Sequence, residues 1–294
     1  MDDELYVRFQ DRFRGSREEI KDRLKAYLPI IEPLKTIYPD KPAIDLGCGR
    51  GEWLELLQEN GWQAMGVDVN KSMVSHCERL GLSTINDDAI KYLHAVKPES
   101  VPVISGFHIA EHLTFELLLE LIKNGYRTLL PGGFLILETP NPENALVSSL
   151  NFYLDPTHQN PLPPLLMQFL AEDSCFYKSV IMRVNGPNEP GNNMPLSSWV
   201  TWAAYANRDY ALVAQKKTDT DSPEFTYYDS LRSEQVIFFL MVANIFNQYE
   251  NQLIAVNHML SAEQSDQHLL KNELNSVLSE LNTIRNELSA GQSD

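Results

Sequence analysis

A glycine-rich stretch behind a short apolar run is the feature that most constrains the fold. Residues 43–53 read AIDLGCGRGEW, with Gly47, Gly49 and Gly51 at alternate positions. Glycines allow the backbone to turn sharply and to approach a ligand closely. The apolar run before them is typical of a buried strand, and the GEWLELLQENG that follows is typical of an amphipathic helix. The stretch therefore predicts a strand–loop–helix unit that binds a ligand at its loop.

Strand-like and helical runs continue to alternate along residues 41–217. The later strand-like runs are QAMGVDV, VPVISGF and GGFLILETP. Such alternation favours an α/β fold with a doubly wound, mainly parallel Rossmann-like sheet, whose ligands bind beyond the carboxyl ends of the strands. The proline-rich segment 140–200 breaks the rhythm and is interpreted as an insertion rather than another strand–helix unit. KSVIMRV and WVTWAAYANRDYALVAQKK are predicted to be late strands.

A helical extension is predicted before the sheet, over residues 1–40. Ser16 and Glu19 have the spacing of a capping box, and Pro29 and Pro33 are expected to end the helix. This extension is interpreted as a flanking element rather than as a part of the sheet domain.

A coiled coil is predicted after the sheet, over residues 230–290. Apolar positions recur there in alternating steps of three and four residues, which is a heptad pattern. The seam runs through Phe246, Tyr249, Leu253, Val256, Leu260, the polar Glu263 and Gln267, Leu270, Leu274, Val277, Leu281, Ile284 and Leu288. We expect it to assemble the chain into a homo-oligomer. The alternative is a long amphipathic helix folded back on the domain.

Charge and cysteine content limit the partners of the chain. It has 24 Lys and Arg against 40 Asp and Glu, a formal charge of −16, which disfavours nucleic acid. Cys48, Cys77 and Cys175 have neither disulfide nor zinc-ribbon spacing, which is typical of a reducing cytoplasm. The acidic opening MDDELYVRF is not expected to act as a signal peptide, and no run of about 18 apolar residues predicts a membrane span. Contact with the inner face of the cytoplasmic membrane would therefore need a partner.

The residues around the glycines discriminate between nucleotide ligands. A dinucleotide loop, G-x-G-x-x-G, needs its third glycine where this chain has Glu52. A diphosphate would also meet the carboxylates of Asp45 and Glu52 at the helix N-terminus. No Lys-Ser/Thr pair follows the glycines, which excludes a P-loop. We therefore expect a cationic or zwitterionic ligand.

The stretch DLGCGRG resembles motif I of the class I S-adenosylmethionine-dependent methyltransferases, and MGVDVN, INDDAIKYL, SGFHIAEHL and LLPGGFLILETPNP resemble the later motifs in order. The resemblance implies that S-adenosyl-L-methionine binds at the loop, that Asp68 accepts the ribose hydroxyls, and that Asp87 and Asp88 flank the adenine. The cofactor-binding residues so implied are Asp45, Gly47, Cys48, Gly49, Gly51, Asp68, Val69, Asp87, Asp88, Ala89 and His108.

Two short segments hold candidates for the chemistry on the methyl acceptor. HIAEH contributes Glu111 and His112, and DPTHQNPLPP contributes Asp155 and His158. A hydroxyl acceptor needs a base, and histidine titrates in the right range. We predict that His158 is this base and Asp155 its orienter. The alternative is that Glu111 and His112 cap the following helix or line the pocket, and that His158 packs in its loop.

A divalent metal is a second way to activate a hydroxyl. Glu111, His112 and His158 are the ligands predicted for it. The pattern resembles the E-x-x-E-H of small-RNA 2′-O-methyltransferases, in which the metal lies over a ribose diol. His108 stands here in place of the first glutamate.

The insertion, the opening RFRGSREEIKDRLKAYLP and the predicted coiled coil together are similar to methyltransferases of bacterial surface-polysaccharide clusters, including enzymes that cap O-antigen chains. This resemblance implies a sugar hydroxyl at the non-reducing end of a lipid-linked glycan as acceptor, termination of chain growth, and a membrane-associated polysaccharide polymerase as partner. Aromatic residues near the insertion either bind sugar rings or form core. They are Phe152, Tyr153, Trp199, Trp202 and Tyr205.

Other classes of function remain open from the sequence. A small-molecule methyltransferase, acting on a quinone-type compound or a nucleotide sugar, has the same donor motifs. RNA methylation is disfavoured by the negative charge of the chain. A scaffold protein without catalytic activity is disfavoured because the glycine loop is complete and Asp68 is present.

Overall fold

The structure is a computed structural model that describes residues 3–186 and 196–218, together with helical residues at 251, 253–261, 268 and 270–280. The chain divides into two compact units, residues 1–238 and residues 239–294. Within the described residues, no helix is long and apolar enough to cross a membrane.

A twisted sheet of seven described strands forms the centre of the first unit, in the order β3-β2-β1-β4-β5-β7-β6. Its strands are β1 Ala43–Leu46, β2 Ala64–Asp68, β3 Thr84–Asn86, β4 Val101–Phe107, β5 Leu129–Pro140, β6 Lys178–Val184 and β7 Asp209–Gln215. The first five strands run parallel, and β7 lies antiparallel to both β5 and β6. The predicted doubly wound, mainly parallel sheet is confirmed.

Helices pack on both faces of the sheet because side chains alternate along each strand. The helices described in the first unit are α1 Asp3–Phe13, α2 Arg17–Leu24, α3 Leu28–Ile37, α4 Glu52–Glu59, α5 Lys71–Arg79, α6 Ala89–Ala95, α7 Phe115–Thr128, α8 Ala145–Ser149, α9 Pro164–Asp173 and α10 Leu196–Tyr205. Leu135 and Leu137 of β5 pack in one core with α6, α7 and α9. Phe134 and Ile136 pack in the other core with α2, α3 and α4.

The N-terminal segment is part of this core, which corrects its interpretation as a flanking helix. It forms three helices, and α2 and α3 bury Ile20, Leu24 and Ile31 against the sheet. The capping box of Ser16 and Glu19 is confirmed. Pro29 lies in the first turn of α3 rather than ending a helix, because proline there lacks only an N–H that has no helical partner.

The segment 140–200 is not a simple insertion. It contains α9 followed by β6, a further helix–strand unit of the sheet, and the prediction of KSVIMRV as a strand is confirmed. The prediction of a strand across WVTWAAYANRDYALVAQKK is half wrong. Its first part lies in α10, and its second part is β7. A short continuous apolar run such as WVTWAAY fits a helix as well as a strand, so periodicity alone does not separate the two.

The second unit is described as helix over residues 253–261 and 270–280. Six seam residues of the predicted coiled coil lie on these helical stretches, and their side chains are exposed. They are Leu253, Val256, Leu260, Leu270, Leu274 and Val277. The remaining seam positions lie outside the described residues. The coiled coil stays a prediction.

Candidate active site

The glycine loop between β1 and α4 is hydrogen-bonded to the carboxyl end of β2. Gly47, Gly49 and Gly51 all have positive φ, at 66°, 51° and 81°. The N–H groups of Gly47 and Cys48 donate to the Val67 carbonyl at 2.8 and 3.2 Å. The left-handed backbone explains why glycine occupies these positions.

Asp68, at the carboxyl end of β2, faces the loop. One carboxylate oxygen accepts from the Gly49 N–H and the other from the Asn70 N–H, each at 2.8 Å. A carboxylate has about four acceptor positions, so hydroxyl groups of a ligand can still donate to it. This geometry fits the predicted role of Asp68 toward a ribose diol.

A cavity of about 320 Å³, the glycine-loop cavity, opens between the loop and Asp68. Most of the predicted cofactor residues line it. They are Gly47, Gly49, Asp68, Val69, Asp87, Asp88, Ala89 and His108. Asp88 also caps α6, and Asp87 pairs with Lys91 at 2.8 Å.

Three predicted cofactor residues lie behind the loop instead, which corrects their assignment to direct contact. Asp45 is buried, and burial raises its pKa to about 7 although the Ser105 hydroxyl donates to it at 2.8 Å. Cys48 packs on Gly66. A Cβ on Gly51 would lie only 2.7 Å from Leu82 and 2.8 Å from Cys77. These residues shape the loop from inside the core.

Helix α1 and the residue after it form a wall that the sequence patterns did not identify. Tyr6, Gln10 and Arg14 line the glycine-loop cavity and also the cavity beside it. They recur every four residues, so Tyr6 and Gln10 share one face of α1, and Arg14 continues that face just beyond the end of the helix. That spacing was visible in the sequence, but nothing in it indicated which surface the helix covers.

The glycine-loop cavity fits S-adenosylmethionine. The Gln10 Oε1 atom is buried without a hydrogen-bond partner among the described residues, and it lies 3.8 Å from the position of a Cβ built on Gly49. Asp68 supplies acceptors at the other side of the loop. A zwitterionic nucleoside ligand would satisfy these groups, because buried polar atoms without partners are costly.

A second cavity of about 330 Å³, the histidine cavity, shares Tyr6, Gln10, Arg14, His108 and His112 with the first. His158 and Asp155 line its wall, on the turn that follows a short 3₁₀ segment, Asn151–Leu154. The structure therefore brings the candidates from HIAEH and DPTHQNPLPP together, although they are 43 to 47 residues apart in the chain.

The ring of His158 is oriented by a backbone carbonyl. Its Nδ1 lies 2.7 Å from the Phe152 oxygen, which only accepts, so Nδ1 carries the proton. The neutral ring therefore has its lone pair on Nε2. This atom lies 3.9 Å from both Glu111 Oε1 and Asp155 Oδ2. The prediction that Asp155 orients His158 is wrong, because Asp155 lies at the Nε2 side without a hydrogen bond to the ring.

Asp155 instead orients His112, through a hydrogen-bond chain that includes the Thr157 hydroxyl. The Thr157 hydroxyl donates to Asp155 at 2.5 Å and lies 2.9 Å from His112 Nδ1. Since the single hydroxyl proton goes to Asp155, Nδ1 of His112 donates to Thr157. Burial lowers the pKa of His112, although the charge of Glu111 opposes the shift. The rings of His112 and His158 lie edge to face, 4.7 Å apart.

His108 separates the two cavities and is bound by carboxylates. It lies 3.1 Å from Glu111 and 3.4 Å from Glu138, with a φ of +57°. Burial disfavours its charged form, but the contacts with Glu111 and Glu138 outweigh burial and raise its pKa to about 10. Burial raises the pKa of Glu111, but the contact with His108 prevails and lowers it to about 2. His108 is thus an imidazolium that keeps Glu111 ionised.

The predicted metal ligands do converge. Glu111, His112 and His158 each offer one ligand atom within 4.8 Å of the others. Glu111 is already engaged, however, since one oxygen contacts His108 and the other accepts from the Thr139 hydroxyl at 2.9 Å. The cluster is therefore held together by its own hydrogen bonds, and a metal-assisted mechanism stays an alternative.

The aromatic residues near the insertion divide into two groups. Phe152 is buried, lines the histidine cavity and packs against the ring of His158 at 4.7 Å. Tyr153 and Tyr205 are exposed, and Trp202 lies on α10. The side chain of Trp199 lies outside the described residues. Phe152 is thus the member of this set that the structure brings to the site.

Residues 12–174 match the Methyltransf_23 family, described as a methyltransferase domain. The chain belongs to this family and is an S-adenosylmethionine-dependent methyltransferase. It is 32% identical to a SAM-dependent methyltransferase from Archaeoglobus fulgidus, with a TM-score of 0.62 over 72% of this chain and 99% of that one. A putative methyltransferase of Haloferax volcanii, solved with its Trm112 activator, shares the fold alone, with a TM-score of 0.52, 14% identity, and coverage of 72% of this chain and 97% of that one.

One curated relative is the mitochondrial rRNA methyltransferase 2 of Caenorhabditis elegans, 27% identical over 139 residues. The match covers 42% of this chain and 61% of that protein, so the chain spans less than two thirds of the relative's length. A probable S-adenosylmethionine-dependent methyltransferase of Mycolicibacterium smegmatis is 26% identical over 102 residues, which are 34% of this chain and 38% of that protein.

Proposed function

We propose that this methyltransferase methylates a sugar hydroxyl, at the non-reducing end of a bacterial surface polysaccharide such as an O-antigen, and thereby terminates chain growth. The observation that carries the proposal is the orientation of His158. Its Nδ1 is committed to the Phe152 carbonyl, so its Nε2 is a proton acceptor beside the glycine-loop cavity. A base in this position suits a hydroxyl, whose proton must leave as the oxygen is methylated.

S-adenosylmethionine, when bound, supplies a methyl group that its sulfonium activates for in-line displacement. His158 takes the acceptor proton on Nε2 and becomes an imidazolium. Glu111 and Asp155, each 3.9 Å from Nε2, stabilise that charge. Glu111 remains a carboxylate for this purpose because His108 lowers its pKa. His158, Glu111 and Asp155 thus form one charge-stabilised base, in which Asp155 stabilises the imidazolium instead of orienting the ring.

The walls of the histidine cavity support a sugar as acceptor. Sugars combine apolar ring faces with many hydroxyl groups, and they are bound by aromatic surfaces flanked by hydrogen-bonding groups. Tyr6, Phe9 and Phe152 provide aromatic surface in this cavity. Arg208 provides a buried Nε–H that has no hydrogen-bond partner among the described residues. An acceptor oxygen would satisfy that donor.

The test is a panel of acceptors incubated with the protein and labelled S-adenosylmethionine. We expect label in oligosaccharides that have the acceptor sugar at the non-reducing end, with no loss on addition of a chelator. Label in a quinone or in RNA, with none in any oligosaccharide, would overturn the proposal. Loss of activity with a chelator, restored by a divalent ion, would contradict the role of His158 as the base. It would support a metal-assisted mechanism with Glu111, His112 and His158 as ligands.

A small acceptor is the second candidate. The histidine cavity, at about 330 Å³, lies at the lower end of the roughly 300–1,000 Å³ usual for small-molecule sites. This volume favours a small acceptor group, such as a quinone-type ring or the sugar end of a nucleotide sugar. Methylation of the free sugar nucleotide but not of the oligosaccharide would support this candidate.

The proposal includes a homo-oligomer and a membrane-associated polymerase as partners. Six exposed apolar residues at heptad spacing support the oligomer, because a coiled coil would bury them against a second copy. We expect L270S/L274S to lower the mass of the full-length protein measured by light scattering, without loss of methyl transfer. The off-seam pair K271S/N275S is the control. An unchanged mass in both variants would contradict the predicted seam.

A further inference from the structure

The glycine-loop cavity is rich in carboxylates, although S-adenosylmethionine carries a carboxylate of its own. Asp68, Asp87 and Asp88 line the side of the cavity formed by the ends of β2 and β3. These acceptors suit hydroxyl and amino groups of the adenosine moiety. They would repel the carboxylate of the methionine moiety, which therefore needs a cation at the opposite side of the loop.

Arg14 supplies such a cation. Among the described residues that line the cavity, it is the permanently charged one, since His108 depends on protonation and already contacts Glu111 and Glu138. The Arg14 Nη1 atom lies 3.6 Å from the position of a Cβ built on Gly49. The guanidinium thus lies directly over the glycine that turns the loop.

The surroundings of Arg14 leave it available to a ligand. Within the part of the chain that the structure describes, its guanidinium makes no hydrogen bond. The buried carboxyl of Asp45 attracts it electrostatically but accepts its own hydrogen bond from Ser105. An arginine fork binds a carboxylate through two parallel N–H···O bonds, which Asp45, buried behind the loop, is not placed to accept.

Gln10 complements Arg14 one helical turn earlier. Its Oε1 atom, the buried acceptor without a partner, lies 3.8 Å from the same position over Gly49. A carbonyl acceptor beside a guanidinium matches the two charged groups of an α-amino acid, an ammonium and a carboxylate. This pairing links the N-terminal helix to the amino-acid end of the cofactor.

We propose that Arg14 binds the carboxylate and Gln10 the ammonium of the methionine moiety. Helix α1 then contributes directly to cofactor affinity. Its contribution depends on the amino-acid moiety and not on the adenosine.

The proposal is tested by calorimetry on the full chain with two ligands. S-adenosylhomocysteine has the amino-acid moiety, and 5′-methylthioadenosine lacks it. We expect R14Q to lower the affinity for S-adenosylhomocysteine by about 10- to 100-fold, the range for a hydrogen bond to a charged group. It should change the affinity for methylthioadenosine less than about twofold. R12Q is the matched control, since Arg12 is exposed in the last turn of α1, two residues before Arg14, and contacts Phe13.

An analogue of S-adenosylhomocysteine that lacks only the amino group separates the two residues. Its affinity should fall in R14Q but not in Q10L, whereas S-adenosylhomocysteine should lose affinity in both variants. R14K, which keeps the charge but loses the fork, should fall between wild type and R14Q. Equal losses for both ligands in R14Q would overturn the proposal, because Arg14 would then act by holding the loop. Unchanged affinity of R14Q for S-adenosylhomocysteine would overturn it as well.

Discussion

The glycine-loop cavity and the histidine cavity are neighbours of nearly equal volume, about 320 and 330 Å³, but they are built differently. The first is formed largely by backbone and carboxylates at the ends of consecutive parallel strands. The second is formed by side chains from the N-terminal helices, the segment after β5 and the start of β7. The donor side of the site is therefore fixed by local turns, whereas the acceptor side depends on segments that are far apart in the chain.

Their difference has a chemical counterpart. The polar groups of the glycine loop are mostly satisfied by backbone contacts before a ligand binds, such as those between Asp68 and the N–H groups of Gly49 and Asn70. In the histidine cavity, His158 Nε2 and Arg208 Nε have no hydrogen-bond partner among the described residues. A scaffold of this kind keeps one donor and can take different acceptors.

The largest effect is expected from His158, which lines only the histidine cavity. H158Q should lower kcat by about 10²- to 10⁴-fold, the usual contribution of a general base. The affinity for S-adenosylhomocysteine should change less than about twofold. H94Q, at an exposed histidine paired with Glu120, is the control. Loss of cofactor affinity in H158Q would show that the two cavities are not functionally separate.

The next effect concerns the fold of the glycine loop. G51A should lower the free energy of unfolding by about 2–4 kcal/mol, because it adds strain at φ +81° to overlap with Leu82 and Cys77. G81A has nearly the same φ, +76°, but open space around its Cβ, and should lose only about 1–2 kcal/mol. Denaturant unfolding measures both. Equal losses would mean that the loop is not held by this packing.

A smaller effect is expected at Asp68, on the other side of that loop. D68N replaces one acceptor oxygen by a donor amide. It should lower the affinity for S-adenosylhomocysteine, measured by calorimetry, by about 10- to 100-fold. The exposed Asp40 provides a matched control in D40N. If D68N binds S-adenosylhomocysteine as tightly as wild type does, Asp68 only holds the loop through its hydrogen bonds and does not contact the ligand.

The smallest effect is expected from pH at His108, where the cavities meet, because its side chain is 30% exposed. Its pKa is raised from 6.5 to about 10 in the folded protein. Its contribution to stability is therefore complete below about pH 6.5 and is lost as the pH rises toward 10. H108Q should flatten the decline of the melting temperature over this range. An identical decline in H108Q and wild type would contradict the imidazolium at the boundary.

Most residues predicted for the donor side line the glycine-loop cavity, because they lie in continuous motifs. Gly47 and Gly49 lie in the loop after β1, Asp68 ends β2, and parallel strands bring their carboxyl ends to one edge of the sheet. The errors there concern depth. Asp45 and Gly51 belong to the same motif as the lining residues, but Asp45 is buried and Gly51 lies against the core side chains of Leu82 and Cys77, which a linear pattern does not distinguish.

The acceptor side was predicted only in part. The sequence pointed to His158 and Asp155, but the prediction that Asp155 orients His158 was wrong. The group that orients His158 is the backbone carbonyl of Phe152, and a backbone carbonyl is present in every residue type, so the sequence does not reveal it. Arg14 and Arg208 were not identified at all. They are polar residues in a helical segment and in a late strand region, and nothing in their neighbours marks them as cavity residues.

The sequence by itself determined the class of fold and the donor, because glycine spacing, strand alternation and carboxylate positions are local properties of the chain. Only the tertiary structure decided how the N-terminal helix closes over the glycine loop, which nitrogen of His158 keeps its lone pair, and that His108 keeps Glu111 ionised. These features depend on distances between segments far apart in the chain, and packing, not local preference, sets such distances.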